Sequence, residues 1–133
     1  MTPFRHRFRV PFHHLDPGGV LFYGHLFAHL HEGYEAWLKA QGVGLKAILE
    51  EGHHALPLVH AEADYHHPMG LDDEIEQEIA LVRLGEHSFT LEHRFWRNAT
   101  LCANALTIHA CVNRHDGQPA HLPKALVKAL TRR

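Results

Sequence analysis

Between Tyr23 and Gln41 the apolar residues recur at helical spacing, and after Gly52 that period gives way to four strand-like segments in succession. No other feature narrows the possible folds so far. Strands that follow one another with only short breaks pair antiparallel, because parallel neighbours need a long crossover between them. At about 100° per residue, Leu26, Leu30, Gly33, Tyr34, Trp37, Leu38 and Gln41 fall within an arc of roughly 140°, and His25, His29, Glu32, Glu35 and Lys39 fall outside it. The helix so predicted is about 27 Å long, with Gly42 suited to its stop. Leu45 to Glu51 predicts a further short helical turn, ended by Gly52.

The strands are predicted over residues 54–66, 74–84, 88–97 and 100–114. Gly85-Glu86 and His115-Asp116-Gly117 read as hairpin turns. Upstream, Phe4, His6, Phe8, Val10 and Phe12 alternate with Arg5, Arg7, Arg9 and Pro11, which makes a strand with one buried face. Pro11 has no N–H to donate and suits a sheet edge or a strand end. Pro123 to Leu130 suits a short closing helix. The expected fold is α+β, one long helix packed against a five- or six-stranded antiparallel sheet, as a single domain over residues 1–133. One helix covers only part of one sheet face. Ile79, Leu81, Phe95, Trp96, Leu106, Ile108 and Val112 are left over, and such apolar surface calls for a second subunit.

Composition removes some functions. A net charge of −2 and a pI near 6.8 argue against nucleic acid as a partner. The basic tail of Lys124, Lys128, Arg132 and Arg133 has no aromatic platform beside it. No apolar run is long enough to span a bilayer, and the N-terminal residues alternate rather than forming the apolar core of a secretory signal. A cytoplasmic protein with no membrane partner is expected. Cys102 and Cys111 fall in one predicted strand, roughly 30 Å apart and on opposite faces, which excludes a disulfide between them. The 16 histidines are scattered and form no tract.

The stretch His14-Leu15-Asp16-Pro17-Gly18-Gly19-Val20-Leu21-Phe22-Tyr23-Gly24-His25 places a carboxylate on a tight turn ahead of the long helix. An Asp before Pro-Gly commonly holds its own turn by accepting backbone N–H bonds. Asp16 lies too far ahead of the helix to cap it, however, and the apolar Val20-Leu21-Phe22 turns the loop inward. A carboxylate near an apolar cavity serves as general base or nucleophile. The first N–H groups of the helix, at Tyr23 and Gly24, lack intrahelical partners. With the helix dipole behind them they suit a developing oxyanion. Together these groups suit acyl transfer.

The run from Asp16 to Tyr23, followed by a long helix, resembles the active-site motif of the hotdog-fold acyl-CoA thioesterases, D-x-D-x-x-G-x-V-(Y/F)-(Y/H). It is most similar to the 4-hydroxybenzoyl-CoA thioesterase branch and its Tol-Pal-associated relatives. Ala63-Asp64-Tyr65-His66-His67-Pro68, leading to Asp72-Asp73-Glu74-Ile75, resembles the Y-x-x-P segment of that family. The resemblance implies hydrolysis of an acyl-CoA thioester to free acid and coenzyme A. It makes Asp16 the base or nucleophile and gives the N–H of Tyr23, with Gly24, the oxyanion. It places Leu58, Val59 and His60 along the acyl pocket, and Gly85, His87 and Ser88 near coenzyme A. His25, near the helix start, would approach the substrate. The likeness implies no cofactor beyond the coenzyme A of the substrate, and a homo-oligomer, a dimer at least and a tetramer in many relatives. His14 stands where the motif has its first acid, and His31, beside Glu32, where many relatives have an acid on the helix. The acyl group stays open among aromatic, short-chain and medium-chain forms, on coenzyme A or a carrier protein.

Other constellations compete. His25, His29 and Glu32 follow i, i+4, i+7 spacing and could ligate zinc or nickel. A solvated polar face explains them as well, and no metal is expected. The adjacent pairs His13-His14, His53-His54 and His66-His67 would point to opposite faces of a strand. Asp72, Asp73, Glu74, Glu76 and Glu78 read as a solvated acidic face without calcium-loop spacing. No Gly-x-Ser-x-Gly elbow occurs. The rival functions are a hydratase or dehydratase using Asp16 and His25 as an acid–base pair, and a non-catalytic acyl- or metal-binding module.

Overall fold

The computed structural model describes residues 3–131; Arg132 and Arg133 of the basic tail lie outside the described residues. The chain runs β1 (Phe4–Arg9), a 3-10 turn (Phe12–His14), α1 (Tyr23–Ala40), α2 (Leu45–Glu51), β2 (His54–Ala55), β3 (Leu58–Tyr65), β4 (Glu74–Leu84), β5 (Ser88–Arg97), β6 (Thr100–Ala110), β7 (Val112–Asn113) and α3 (Lys124–Thr131). Five strands form one antiparallel sheet in the order β1-β4-β5-β6-β3, and β2 pairs with β7. Short turns join β4, β5 and β6. Asn98, with φ of 53°, takes the left-handed position between the last two, a conformation Asn tolerates better than most side chains. No described helix is long and apolar enough to cross a membrane.

Two predicted strands are each split. The segment 54–66 breaks after Ala55, and Pro57, which has no N–H, instead accepts the Ala110 N–H at 3.0 Å. The segment 100–114 breaks at Cys111, so its end can leave the sheet and pair with β2. A register shift near Phe95 and Trp96 leaves Cys102 unpaired in the ladder and overturns the expectation that the cysteines face opposite ways: both are buried, and both are free. The acidic face of β4 is also more than a solvated surface. Arg5 pairs with Glu78 at 3.1 Å and Arg9 with Glu74 at 3.1 Å across the β1–β4 ladder. Exposed pairs of this kind add little stability, but opposite charges facing each other favour this register over like-charge alternatives.

Helix α1 lies across the inner face and buries Leu26, His29, Leu30, Gly33, Tyr34, Trp37 and Leu38. Two apolar clusters result. One gathers Leu26 and Leu30 with Val10, Leu21, Met69, Ile75, Phe95 and Cys102. The other gathers Tyr34, Trp37 and Leu38 with Ile79, Phe89, Leu91 and, from the C-terminal segment, Leu122 and Leu126. Ile79 and Phe95, assigned by the sequence to the uncovered apolar surface, therefore lie fully inside, and Leu81 packs against the second cluster.

Polar side chains bridge the core. Gln77 Nε2 donates to Leu30 O at 3.2 Å and to His93 Nδ1 at 3.0 Å. His93 Nε2 lies 2.8 Å from Thr107 Oγ1, which lies 2.9 Å from His109 Nε2. One proton arrangement satisfies this chain with every ring neutral: His93 donates to Thr107, and Thr107 donates to His109. The backbone of α1 comes so close here that a methyl group on Gly33 would collide with Gln77 Oε1. Gly33→Ala is expected to cost roughly 1–3 kcal/mol, read as a lower urea midpoint.

Burial keeps these rings neutral. Desolvation is the larger cause in each case, and a neighbouring histidine adds to it; His93 is pushed down to about 3, His109 to about 4 and His29 to about 4. An unfolded histidine takes up its proton near 6.5. Between 6.5 and 4 the unfolded chain therefore binds more protons than the folded one. The stability these rings contribute is complete above about 6.5 and is lost as pH falls towards 4. The urea midpoint is expected to fall steadily across that window; a flat profile would contradict a buried neutral network.

Candidate active site

The loop ahead of α1 is a tight hairpin. Asp16 N donates to Val20 O at 2.8 Å, Gly19 N donates to Asp16 O at 3.0 Å, and Leu15 bridges Leu21. Gly19 takes φ of 83°, a left-handed value that disfavours any side chain. Asp16 Oδ1 accepts from Gly18 N at 2.8 Å and Val20 N at 3.2 Å. The turn role is therefore real, yet it uses only one oxygen: Asp16 Oδ2 has no hydrogen-bond partner among the described residues.

The hairpin is anchored on both sides. Leu21 N donates to Met69 O at 2.7 Å, and Phe22 N donates to His14 O at 2.9 Å. Phe22, in extended conformation, precedes the helix without a side-chain cap. The N–H groups of Tyr23 and Gly24 have no acceptor among the described residues. Opposite them stand the last residue of β3 and the segment that follows it. Tyr65 donates its hydroxyl to Tyr23 O at 2.6 Å, and burial raises the Tyr65 pKa, with the charge of Tyr23 adding to it, which preserves that donor. Behind the wall, Arg97 Nη1 donates to Pro68 O at 2.6 Å and pairs with Asp73 at 3.2 Å.

Asp16, Phe22 and Tyr23 on one side and Tyr65, Pro68 and Met69 on the other line an open pocket of about 520 Å³. That size is within the usual range for small-molecule sites. The pocket brings together only two of the sequence-designated residues, Asp16 and Tyr23, with Gly24 next along the helix. His25 does not line it; its ring stacks on His14, centroids 4.3 Å apart and planes 4° apart. Leu58, Val59 and His60 lie exposed on β3 at the sheet edge. Gly85, His87 and Ser88 lie at the β4–β5 turn, where Gly85 borders a different hollow.

His25, His29 and Glu32 do not converge as a set of metal ligands. His29 is buried, stacked on Phe8 at 4.0 Å, and its Nε2 lies 2.9 Å from His14 Nδ1. His14, in the place of the motif's first acid, thus joins the Asp16 hairpin to α1. Desolvation lowers the His14 pKa, and the nearby His13 and His25 add to that, which favours a neutral contact. The role of Tyr65 lay in a recognised stretch, but nothing in the sequence showed that its hydroxyl would reach the helix start.

Residues 10–130 match the Thioesterase-like superfamily. The chain belongs to this family. A 1,4-dihydroxy-2-naphthoyl-CoA hydrolase of Synechococcus elongatus is 35% identical over 118 residues, covering 88% of this chain and 87% of that one. The hydrolase of the same name from Gloeothece citriformis is 28% identical over 120 residues, covering 88% and 84%. The crystal structure of a 1,4-dihydroxy-2-naphthoyl-CoA thioesterase from Synechocystis matches with a TM-score of 0.90 at 28% identity, covering 97% of this chain and 96% of that one. The fold is the hotdog, and the reaction is hydrolysis of an acyl-CoA thioester.

In this thioesterase the Tyr65 hydroxyl holds the carbonyl of the helix's first residue. Tyr65→Phe removes one hydrogen bond without emptying the wall. It is expected to lower kcat/KM on the order of three- to tenfold with little change in melting temperature, as steady-state kinetics and a thermal melt would show.

Proposed function

We propose that Asp16 is the catalytic carboxylate, acting from the oxygen its turn leaves free. It either takes a proton from water attacking the thioester carbon or attacks that carbon itself to form a mixed anhydride that water cleaves. Either route consumes one water and yields a free acid and the coenzyme A thiol. The N–H groups of Tyr23 and Gly24 hold the developing oxyanion, and loss of one such donor typically costs on the order of a hundredfold in rate. The single observation that carries this reading is the shared pocket: Asp16, with one carboxylate oxygen free of its turn, and Tyr23, the first residue of α1, line the same aromatic-walled space.

For the acyl group we propose a fused aromatic acid, with 1,4-dihydroxy-2-naphthoyl-CoA as the first substrate to test. The names of relatives up to 35% identical support it, as do the planar side chains of Phe22, Tyr23 and Tyr65 around the pocket. We further propose a homodimer, or a pair of dimers, in a cytoplasmic setting. Strand β3 has one neighbour only and leaves Leu58 51% and Val59 59% exposed, so a second copy added at that edge would bring Leu58, Val59 and His60 to a site that they do not reach within their own chain. In the same proposal Gly85, His87 and Ser88 approach coenzyme A and His25 orders the helix start.

Asp16→Asn separates the two duties of this residue, since the amide keeps an oxygen for Gly18 and Val20. It is expected to retain the melting temperature and lose at least a hundredfold of the hydrolysis of 1,4-dihydroxy-2-naphthoyl-CoA, followed by thiol release. Unchanged turnover in Asp16→Asn would remove Asp16 from the chemistry. Equal or faster hydrolysis of short aliphatic acyl-CoAs would remove the aromatic assignment.

A further inference from the structure

The β4–β5 turn and the segment leading into α3 are bound to each other through the backbone. Leu122 N donates to Glu86 O at 3.0 Å, Cys111 N donates to His87 O at 2.7 Å, and Ala120 N donates to Cys111 O at 3.0 Å. These bonds bring three exposed side chains together from two separate parts of the chain. A carboxylate oxygen of Glu86 and one ring nitrogen each of His87 and His121 all lie within 4.8 Å of one another. The two imidazole rings are 4.8 Å apart, tilted by 37°. No other set of three or more such groups converges among the described residues.

These three side chains are also unused. Among the described residues, none of them makes a hydrogen bond or ion pair with the protein. Elsewhere on the surface a histidine beside a carboxylate is already satisfied, as in His54 with Glu51 at 2.9 Å and His60 with Glu62 at 2.8 Å. At Glu86, His87 and His121 the donor atoms lie within 4.8 Å of one another with no protein partner among the described residues.

We propose that Glu86, His87 and His121 bind a divalent transition-metal ion, zinc or a neighbour in the series. Two imidazoles and one carboxylate suit zinc, nickel, cobalt or copper rather than magnesium or calcium, which prefer oxygen. A tetrahedral ion with bonds of about 2.0–2.1 Å holds its ligands roughly 3.3 Å apart. The side chains therefore need to close by at most about 1.5 Å, within the rotamer freedom of exposed residues. Three protein ligands leave a coordination position for water. The bound ion joins the β4–β5 turn to the approach of α3, beside the hollow lined by Leu84, Gly85, Leu122 and Val127. The site is independent of the chemistry at Asp16 and does not depend on His87 touching coenzyme A.

The test uses the full chain, free of any histidine tag and stripped with a chelator. Zinc is titrated by calorimetry, melting temperature is followed with and without zinc, and cobalt(II) replaces zinc for a visible d–d spectrum. One ion per chain, a melting temperature raised by several degrees and a tetrahedral cobalt spectrum are expected. His121→Ala is expected to weaken binding at least tenfold and abolish the melting shift. Glu86→Gln, which keeps the shape of the side chain, is expected to weaken binding in the same direction. A control with His53→Ala and His115→Ala alters an exposed pair whose rings are 6.2 Å apart and is expected to keep both the stoichiometry and the shift. No binding by the parent chain overturns the proposal, as does binding that survives both His121→Ala and Glu86→Gln, or that disappears equally in the control.

Discussion

The contact of α1 with the sheet at Gly33 and Gln77 sets the position of everything the molecule does. A side chain at residue 33 would occupy the space of the Gln77 amide, so either the helix or that amide would have to shift and the bond from Gln77 to Leu30 O would be disturbed. With glycine there, the helix axis is held near its middle, between two apolar clusters, by a polar bridge that points one way. Its N-terminal end then falls where Tyr65 can hold the Tyr23 carbonyl and where His14 can meet His29. A helix end delivers its partial positive charge over only about one turn, so an error of an ångström or two would remove the advantage of the site.

Asp16 shows how a structural and a chemical duty share one side chain. Oδ1 is held by two backbone N–H groups and fixes the carboxylate plane, and the second oxygen is left without a protein partner. A carboxylate so fixed loses little freedom when it engages substrate or water, which is the physical content of preorganisation. The glycines after it belong to the same device. Gly19 takes a left-handed turn, and a side chain on Gly18 would press on Asp16 Oδ1 at 3.3 Å.

The histidines divide by tertiary surroundings rather than by sequence neighbours. His93 and His109 span the core as neutral links between Gln77, Thr107 and the aromatic ring of Tyr34. His14, His25 and His29 stack and bond beside the active-site hairpin. His87 and His121 meet outside, with Glu86. Adjacency in sequence identified none of these groups; the sheet register and the return of the C-terminal segment produced them.

The order of elements, the bounds of α1, β4 and β5 and the tight turn carrying Asp16 were all legible in the chain itself, because each rests on local periodicity or local turn chemistry. Periodicity also carried a signal for the buried bridge, since Gln77, His93 and Thr107 stand in phase with Ile75, Phe95 and Ala105. His29 fell outside the apolar arc, and it is buried because its ring stacks on Phe8 and meets His14. The splitting of two long strands, the inward turn of both cysteines, the hold of Tyr65 on the helix start and the meeting of His87 with His121 were decided by tertiary structure. Each is a contact between residues far apart in the chain, and its existence depends on how whole elements pack rather than on the residues at either side.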